Sequence, residues 1–287
     1  MLESTKKILV AIDPSAAGQA AFQQALRLSV SLNARLIVLS VTPQYEGNMN
    51  RWKINDTNEL LNQPFERCLQ EAREQASSLG LPIRCIHKTG DPVEAIVTLS
   101  EVEHVSFVLL GHPRRSHLER VLLGRTAARV IGLSPCDVLM IPEHGVVNFS
   151  KILVGIDGSR YSMEAGQRAL DLAQTFGGEV HAVTVLDIPV EKTLHYGVLD
   201  EARRKNDSHL EILSGQAARL GVPIFTSFRE GSPYEALVAY SEEKAIELII
   251  LGSFGKTALS RLLLGSVVER VATLSSLPTL VVKPVSR

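Results

Sequence analysis

Three glycines and one hydroxyl near the end of the chain are spaced as in a phosphate-binding loop. Gly252 follows an apolar run at residues 248–251, Gly255 comes next, and Gly265 and Ser266 follow after a polar and basic segment. Glycines let backbone amides approach an anion closely, and unpaired amides at a helix N-terminus favour phosphate. The pattern G-x2-G-x9-G-S therefore predicts a loop that binds phosphate. Taken singly, Gly252 could merely end a strand, and Gly265 with Ser266 could merely begin a helix.

Two better-known phosphate loops do not fit this stretch. Gly255-Lys256-Thr257 looks like the end of a P-loop, but the glycine that a P-loop needs five residues earlier would be Ile250. No G-x-G-x-x-G follows a predicted strand, which excludes the dinucleotide-binding fingerprint. Lys256 could reach a terminal phosphate, or it could be an exposed loop lysine without a role.

Apolar patterns predict strands that alternate with helices along the whole chain. Predicted strands are residues 7–12, 35–41, 83–86, 107–110, 138–141, 152–156, 179–185, 224–228, 248–251 and 279–282. Predicted helices of the first half are residues 17–32, 60–79, 92–101 and 118–133, and residues 44–64 show the least periodicity and predict a loop. This alternation predicts an α/β fold, with a parallel sheet covered by helices on both faces.

The first half of the chain recurs in the second. KILVAIDPS begins at Lys7 and KILVGIDGS at Lys151, an offset of 144 residues. A repeat of this length is a whole domain, because solenoid repeats are about 20–50 residues long. We expect a tandem duplication with domains at residues 1–145 and 149–287.

Asp157 follows the first predicted strand of the second half. Ligands of open parallel sheets bind at the carboxyl ends of the strands, where the winding direction switches. A carboxylate there can accept hydrogen bonds from a ribose hydroxyl or an adenine amine, or lie near a phosphate-bridging Mg²⁺. Asp-Gly-Ser is also ordinary turn chemistry, so Asp157 could instead serve only to begin a helix.

The loop resembles the nucleotide-binding signature of the universal stress protein family, G-x2-G-x9-G-[ST], and the resemblance covers both halves. It implies two tandem Rossmann-like domains of the adenine nucleotide alpha hydrolase type, each with strand order 3-2-1-4-5. In that family the aspartate contacts the nucleoside, the valine ending the second strand packs on adenine, and the loop holds the phosphates of ATP. The residues implied here are Asp157, Val185, Gly252, Gly255, Gly265 and Ser266, to which we add Lys256.

The first half keeps only part of this pattern. Its matching residues are Asp13, Val41, Gly111 and Gly124. Arg114 replaces the second glycine, and Arg125 replaces the hydroxyl. A side chain at position 114 could obstruct backbone approach, whereas arginines could bind phosphate themselves. We expect ATP mainly in the second half, with the first half a weaker candidate.

Composition and charge argue against several other functions. The chain is 45% hydrophobic with a net charge of -1, so it has no basic footprint for nucleic acid. No segment approaches the roughly 18 apolar residues of a membrane span. Three scattered cysteines show no zinc-binding spacing. We expect a cytoplasmic protein that binds adenine nucleotide but neither nucleic acid nor a membrane.

Three functions remain open. We favour an ATP-binding regulatory protein of the stress response that is not an enzyme. The second is a slow ATPase or phosphotransferase acting at the same nucleotide site, although no motif supplies the catalytic base that such an enzyme needs. The third is a stress adaptor that binds nucleotide in neither half. The resemblance places the last strand at a sheet edge, which implies an intramolecular pseudo-dimer of the two halves that could dimerise further. We also expect Gly252→Val and Gly265→Val to abolish binding without unfolding the chain.

Overall fold

The computed structural model describes residues 6–44, 57–113, 124–187, 198–255 and 265–284. These residues divide into two compact units, the first ending at Gly145 and the second beginning at Val146. Each unit contains a five-stranded parallel sheet and four helices among its described residues. No described helix combines the length and the apolar composition that a bilayer-spanning helix needs.

The first unit alternates strands and helices from its start. Its elements are β1 Lys7–Ile12, α1 Ala16–Ser31, β2 Arg35–Pro43, α2 Thr57–Ser78, β3 Ile83–Gly90, α3 Pro92–Val102, β4 Phe107–His112, α4 Arg125–Leu133 and β5 Asp137–Pro142. The strands lie in the order β3-β2-β1-β4-β5. All pairings are parallel, and Leu9 of β1 is in register with Ile37 of β2 and Val108 of β4.

The second unit repeats this arrangement. Its elements are β6 Lys151–Gly155, α5 Arg160–Phe176, β7 Glu179–Leu186, α6 Val198–Leu220, β8 Ile224–Glu230, α7 Pro233–Glu243, β9 Leu248–Gly252, α8 Ser266–Leu274 and β10 Thr279–Val282. The order is β8-β7-β6-β9-β10, again all parallel. The α/β fold and the order 3-2-1-4-5 are therefore confirmed in both units. The winding direction switches between β6 and β9, so these two strands end side by side.

Continuous apolar strands explain the core. Leu153 in β6 and Ile249 and Ile250 in β9 are completely buried, as central strands covered on both faces require. The helices that follow β1 and β6 begin at serine caps. Ser15 accepts a hydrogen bond from the Gly18 amide, and Ser159 accepts one from the Ser162 amide. In each unit the first helix therefore begins at a capping serine, just beyond the carboxyl end of the first strand.

One predicted helix and one predicted loop have wrong boundaries. The segment predicted as one helix at residues 118–133 is not continuous, because Gly124 has an extended backbone (φ -51°, ψ 138°) that cannot lie inside a helix. The described helix is Arg125–Leu133, and residues 118–123 lie outside the described residues. The loop predicted at residues 44–64 ends before Thr57, where α2 begins, and Pro64 lies inside that helix. Residues 45–56 of that loop lie outside the described residues.

Candidate functional site

Asp157 lies just beyond the carboxyl end of β6. Its Oδ1 accepts a hydrogen bond from the Ser159 amide at 2.9 Å, and its own amide donates to Ser162 Oγ at 3.3 Å. Asp157 therefore forms the turn that its sequence context suggested, at the start of α5. This local role uses Oδ1, so Oδ2 is the oxygen to consider for contacts outside the turn.

Gly255 lies next to that second oxygen. A Cβ atom at Gly255 would be 3.1 Å from Asp157 Oδ2, tighter than nearly all side-chain contacts in proteins. The glycine loop after β9 and the aspartate after β6 are therefore neighbours, although 98 positions separate residues 157 and 255. The two neighbouring strand ends bring together the features that the sequence singled out.

Phe254 anchors the loop between its first two glycines. Its side chain is buried, and its ring meets that of Tyr161 edge to face at a centroid distance of 5.3 Å. A buried aromatic ring packed in this way restricts the backbone next to it. Phe254 therefore holds the following residue, Gly255, in place.

Gly252 has a role that the sequence did not predict. A Cβ atom there would lie 2.6 Å from the carbonyl carbon and oxygen of Tyr161, so only glycine lets the end of β9 approach α5. Gly111 of the first unit approaches Ala17 of α1 even more closely, with a distance of 2.2 Å from the Cβ position to the carbonyl oxygen. The expectation that Gly252→Val leaves the fold intact is therefore wrong, since the larger side chain would collide with backbone.

Gly265 and Ser266 begin α8. Gly265 has an extended backbone (φ -60°, ψ 133°), and no side chain of the described residues caps the helix, so its first amides can bind an anion. A Cβ atom at Gly265 would meet only ordinary contacts, the nearest being the Ser253 carbonyl oxygen at 3.4 Å. Ser266 is exposed. Lys256 falls at residues 256–264, outside the described residues.

Val185 lies on the same side of the sheet as α8. His181, four residues earlier in β7, hydrogen-bonds to Tyr240 of α7, and alternate strand residues share one face. Helix α7 packs against α8. Val183 of β7 pairs with Gly155, the last residue of β6. Val185, two residues further along β7, therefore lies beyond the end of β6 and is partly exposed.

The corresponding residues of the first unit are arranged differently. Oδ1 of Asp13 accepts hydrogen bonds from both the amide and the hydroxyl of Ser15. Val41 is 6% exposed, which leaves little surface for a ligand. Gly124 precedes α4, which no described side chain caps, and Arg125 is the first residue of that helix. Arg114 lies outside the described residues.

A histidine not predicted from the sequence lies beside the Asp157 turn. Gly158 has a positive φ of 77°, and a Cβ atom there would be 2.5 Å from Cε1 of His209 on α6. Nδ1 of His209 is buried and makes no hydrogen bond within the described part of the chain. The sequence contains one indication of this difference between the two units. The residue after the aspartate is Pro14 in the first repeat and Gly158 in the second.

Metal binding through protein ligands alone finds no support in the described ranges. No group of three or more histidine, cysteine, aspartate or glutamate side chains there could hold an ion. Asp157 stands as a single carboxylate beside the glycine loop. Such an arrangement suits a cation that is held mostly by a ligand's own phosphates.

Comparisons with known proteins agree with the duplicated architecture. The model of the universal stress protein family matches residues 4–142 and again residues 148–283. Universal stress protein MJ0531 of Methanocaldococcus jannaschii is 36% identical over 149 residues, which cover 50% of this chain and 87% of that protein. The universal stress protein E homolog of Haemophilus influenzae is 23% identical over 302 residues, covering 97% of both chains.

A solved structure shares the fold over nearly the full length. The crystal structure of a universal stress protein from Archaeoglobus fulgidus has a TM-score of 0.77 and 22% identity, and the match covers 98% of this chain and 99% of that one. Two consecutive matches to one family model account for almost every residue. The chain is therefore a tandem member of the universal stress protein family.

Proposed function

We propose that the second unit binds ATP between the ends of β6 and β9, and that the chain is an ATP-binding regulatory protein of the stress response. The proximity of Gly255 to Asp157 Oδ2, which would lie 3.1 Å from a Cβ atom at position 255, carries this proposal. This proximity means that the crevice between β6 and β9 contains both a carboxylate that can bind the nucleoside and a glycine loop that can bind the phosphates. Occupancy of that crevice would change the partner or the assembly state of the protein.

Each part of ATP has a matching group. Val185 offers an apolar, partly exposed surface for the adenine, and Asp157 offers acceptor oxygens for nucleoside hydroxyls or amines. The start of α8 at Gly265 and Ser266 offers uncapped amides for phosphate. Gly255 keeps the loop backbone open, and Lys256 of the same loop is a further phosphate ligand in this proposal. Gly252 acts indirectly, by allowing β9 to pack against α5.

Mg²⁺ fits this scheme as an ion that ATP itself carries. Protein sites for nucleotide-bound Mg²⁺ commonly supply one or two carboxylates, while phosphates and water supply the remaining oxygens. Asp157 is the carboxylate next to the loop. We propose that it contributes to such an ion only together with the phosphates.

The first unit is proposed as the weaker nucleotide site. Oδ1 of Asp13 accepts two hydrogen bonds from Ser15, and Val41 is buried, which leaves little apolar surface for an adenine. Gly111 persists in this unit because of its close approach to Ala17, so its presence is no sign of phosphate binding.

A matched pair of glycine variants tests the proposal. Gly265 and Gly124 both have an extended backbone and precede a helix, and a Cβ atom at either position would meet no neighbour closer than ordinary contact distance. Gly265→Val should lower the affinity for ATP at least about tenfold in a calorimetric titration, a change of ~1.4 kcal/mol, whereas Gly124→Val should leave it nearly unchanged. Equal losses would contradict the asymmetry. If the unaltered chain binds no ATP, the adaptor function replaces this proposal.

A further inference from the structure

Equivalent arginines in α4 and α8 have different partners. Arg129 in the first unit and Arg270 in the second are 141 positions apart, the offset that also relates Gly124 to Gly265. Arg129 Nη1 lies 3.1 Å from Asp91 Oδ2, so a carboxylate balances its charge. Hydrogen bonds from the Val93 amide and then from Arg129 lower the pKa of Asp91, which keeps that carboxylate ionised.

Arg270 lacks such a carboxylate. The residue that corresponds to Asp91 is Ser232, at the start of α7. The Arg270 guanidinium carbon lies 4.8 Å from the centre of the Tyr234 ring, and the arginine forms no ion pair within the described ranges. An aromatic face holds a guanidinium without neutralising it and leaves N–H donors for another acceptor. The second unit thus keeps a positioned cation where the first unit has an ion pair.

The cation lies on the helix that begins at Gly265. Ser266 and Arg270 are four residues apart on α8, hence on one face and about one turn apart. Long helical side chains incline toward the helix N-terminus, so Arg270 leans toward the uncapped amides. Tyr234 lies in the first turn of α7, which follows the carboxyl end of β8. Both residues are therefore at the edge of the sheet where the crevice opens.

A buried hydroxyl next to the same helix start also lacks a partner. Ser253 is completely buried, and its Oγ makes no hydrogen bond among the described residues. Its backbone carbonyl is the nearest neighbour of Gly265. Because Gly252 faces α5, the next residue in the chain faces the opposite side of the sheet, where α7 and α8 pack. An unsatisfied buried hydroxyl is costly, which indicates that a ligand atom completes this position.

We propose that Arg270 is a phosphate-binding residue of the second unit, and that the exchange of Asp91 for Ser232 determines which half of the chain holds a nucleoside polyphosphate. This inference rests on the proposed function, since it assigns an additional residue to the same crevice. In the first unit the equivalent residue, Arg129, forms an ion pair with Asp91. In the second unit Tyr234 positions Arg270 and leaves its charge for the ligand.

Titration of the full chain with ATP, ADP, AMP and adenosine tests this assignment. Arg270→Gln should lower the affinity for ATP about tenfold and that for adenosine less than about twofold. Ser232→Asp retains the arginine but supplies the carboxylate of the first unit, so it should also weaken ATP selectively. Arg129→Gln is the matched control in α4 and should leave every affinity within about twofold of the original.

The outcomes separate this inference from the proposed function. If the unaltered chain binds ATP and Arg270→Gln binds it equally well, the role of Arg270 is refuted while ATP binding stands. If Arg270→Gln weakens ATP and adenosine alike, the arginine is structural and the inference is refuted. If the unaltered chain binds none of the four compounds, both proposals fail. Thermal denaturation of each variant establishes that it is folded.

Discussion

Gly255 and Asp157 meet at the ends of two neighbouring strands, with 3.1 Å between Asp157 Oδ2 and the position that a Cβ atom of residue 255 would take. The strand order places β6 beside β9, and this places the turn after one strand against the loop after the other. A larger residue at position 255 would have to displace the carboxylate. The glycine therefore serves the geometry of the crevice, whereas Gly252 serves the packing of β9 on α5.

Gly255→Ala should weaken nucleotide binding with little loss of stability. Its methyl group would push against Asp157 Oδ2, which belongs to a side chain that can move by a few tenths of an ångström. We expect ATP affinity to fall about tenfold, with a change in the free energy of unfolding below about 1 kcal/mol. Titration and calorimetric unfolding of the same preparation measure both quantities. A variant that binds ATP normally would remove Gly255 from the site.

Gly252→Ala should instead destabilise the second unit. The added methyl group would lie 2.6 Å from the backbone of Tyr161, and backbone atoms cannot rotate away. Overpacking of this kind costs about 1–3 kcal/mol, which differential scanning calorimetry would register as a lower unfolding temperature. Gly215→Ala is the control, because no heavy atom outside its own stretch of α6 backbone lies within 4 Å of its Cβ position. That substitution should stabilise the helix by about 0.5–1 kcal/mol.

Asp157→Asn should separate the turn from the binding role. An asparagine oxygen can still accept the hydrogen bond from the Ser159 amide, so α5 should begin at the same residue. With Mg²⁺ left out of the titration, the loss of the negative charge should weaken ATP and adenosine by similar factors, because Asp157 is then assigned only to the nucleoside. Asp171→Asn, on the exposed side of α5, controls for the change in net charge. Selective loss of ATP with adenosine unaffected would place Asp157 at the phosphates instead.

Glu103 should make the stability of the first unit depend on pH. Its carboxylate accepts hydrogen bonds from Lys7 at 2.8 Å and Arg84 at 2.6 Å, and these hold the pKa of Glu103 below its ordinary value of 4.5. A carboxyl whose pKa is lower in the folded protein stabilises it above the unfolded pKa, and this contribution disappears as pH falls through the folded pKa.

Glu103→Gln should therefore lower the unfolding temperature at neutral pH, and the difference should shrink once the pH drops well below 4.5. Thermal unfolding followed by circular dichroism at pH 7 and at acidic pH measures both differences. Glu101→Gln, two positions earlier and exposed, should have little effect at either pH. A difference for Glu103→Gln that does not change with pH would mean that packing, not charge, explains its effect.

Apolar strands could be predicted from the sequence because burial on both faces leaves a continuous signal. The prediction of residues 7–12 matches β1, and that of residues 279–282 matches β10. Edge strands carry less of that signal. β3 continues through His87, Lys88 and Thr89 to Gly90, four residues beyond the predicted end, because its backbone pairs with β2 while its side chains stay partly exposed.

Contacts between distant segments could not be predicted in the same way. The spacing of Gly252, Gly255 and Gly265 indicated one phosphate loop, yet the structure gives them different neighbours, namely the Tyr161 backbone, the Asp157 carboxylate and the Ser253 carbonyl. The pairing of Asp91 with Arg129 likewise depends on how α3 and α4 pack. Periodicity specifies which face of a helix is buried, but it does not specify the partner.

The measurement that tests the central claim most directly is the amount of nucleotide bound by the full chain at saturating ATP, compared between the unaltered protein and Gly265→Val. At the lowest ATP concentration that saturates the unaltered protein, we predict about one ATP per chain for it, held in the second unit, and well below one for the variant, because its side chain obstructs the start of α8. Two ATP per chain, with one retained by Gly265→Val, would show that the first unit binds as well. No ATP on the unaltered protein would contradict the proposed site.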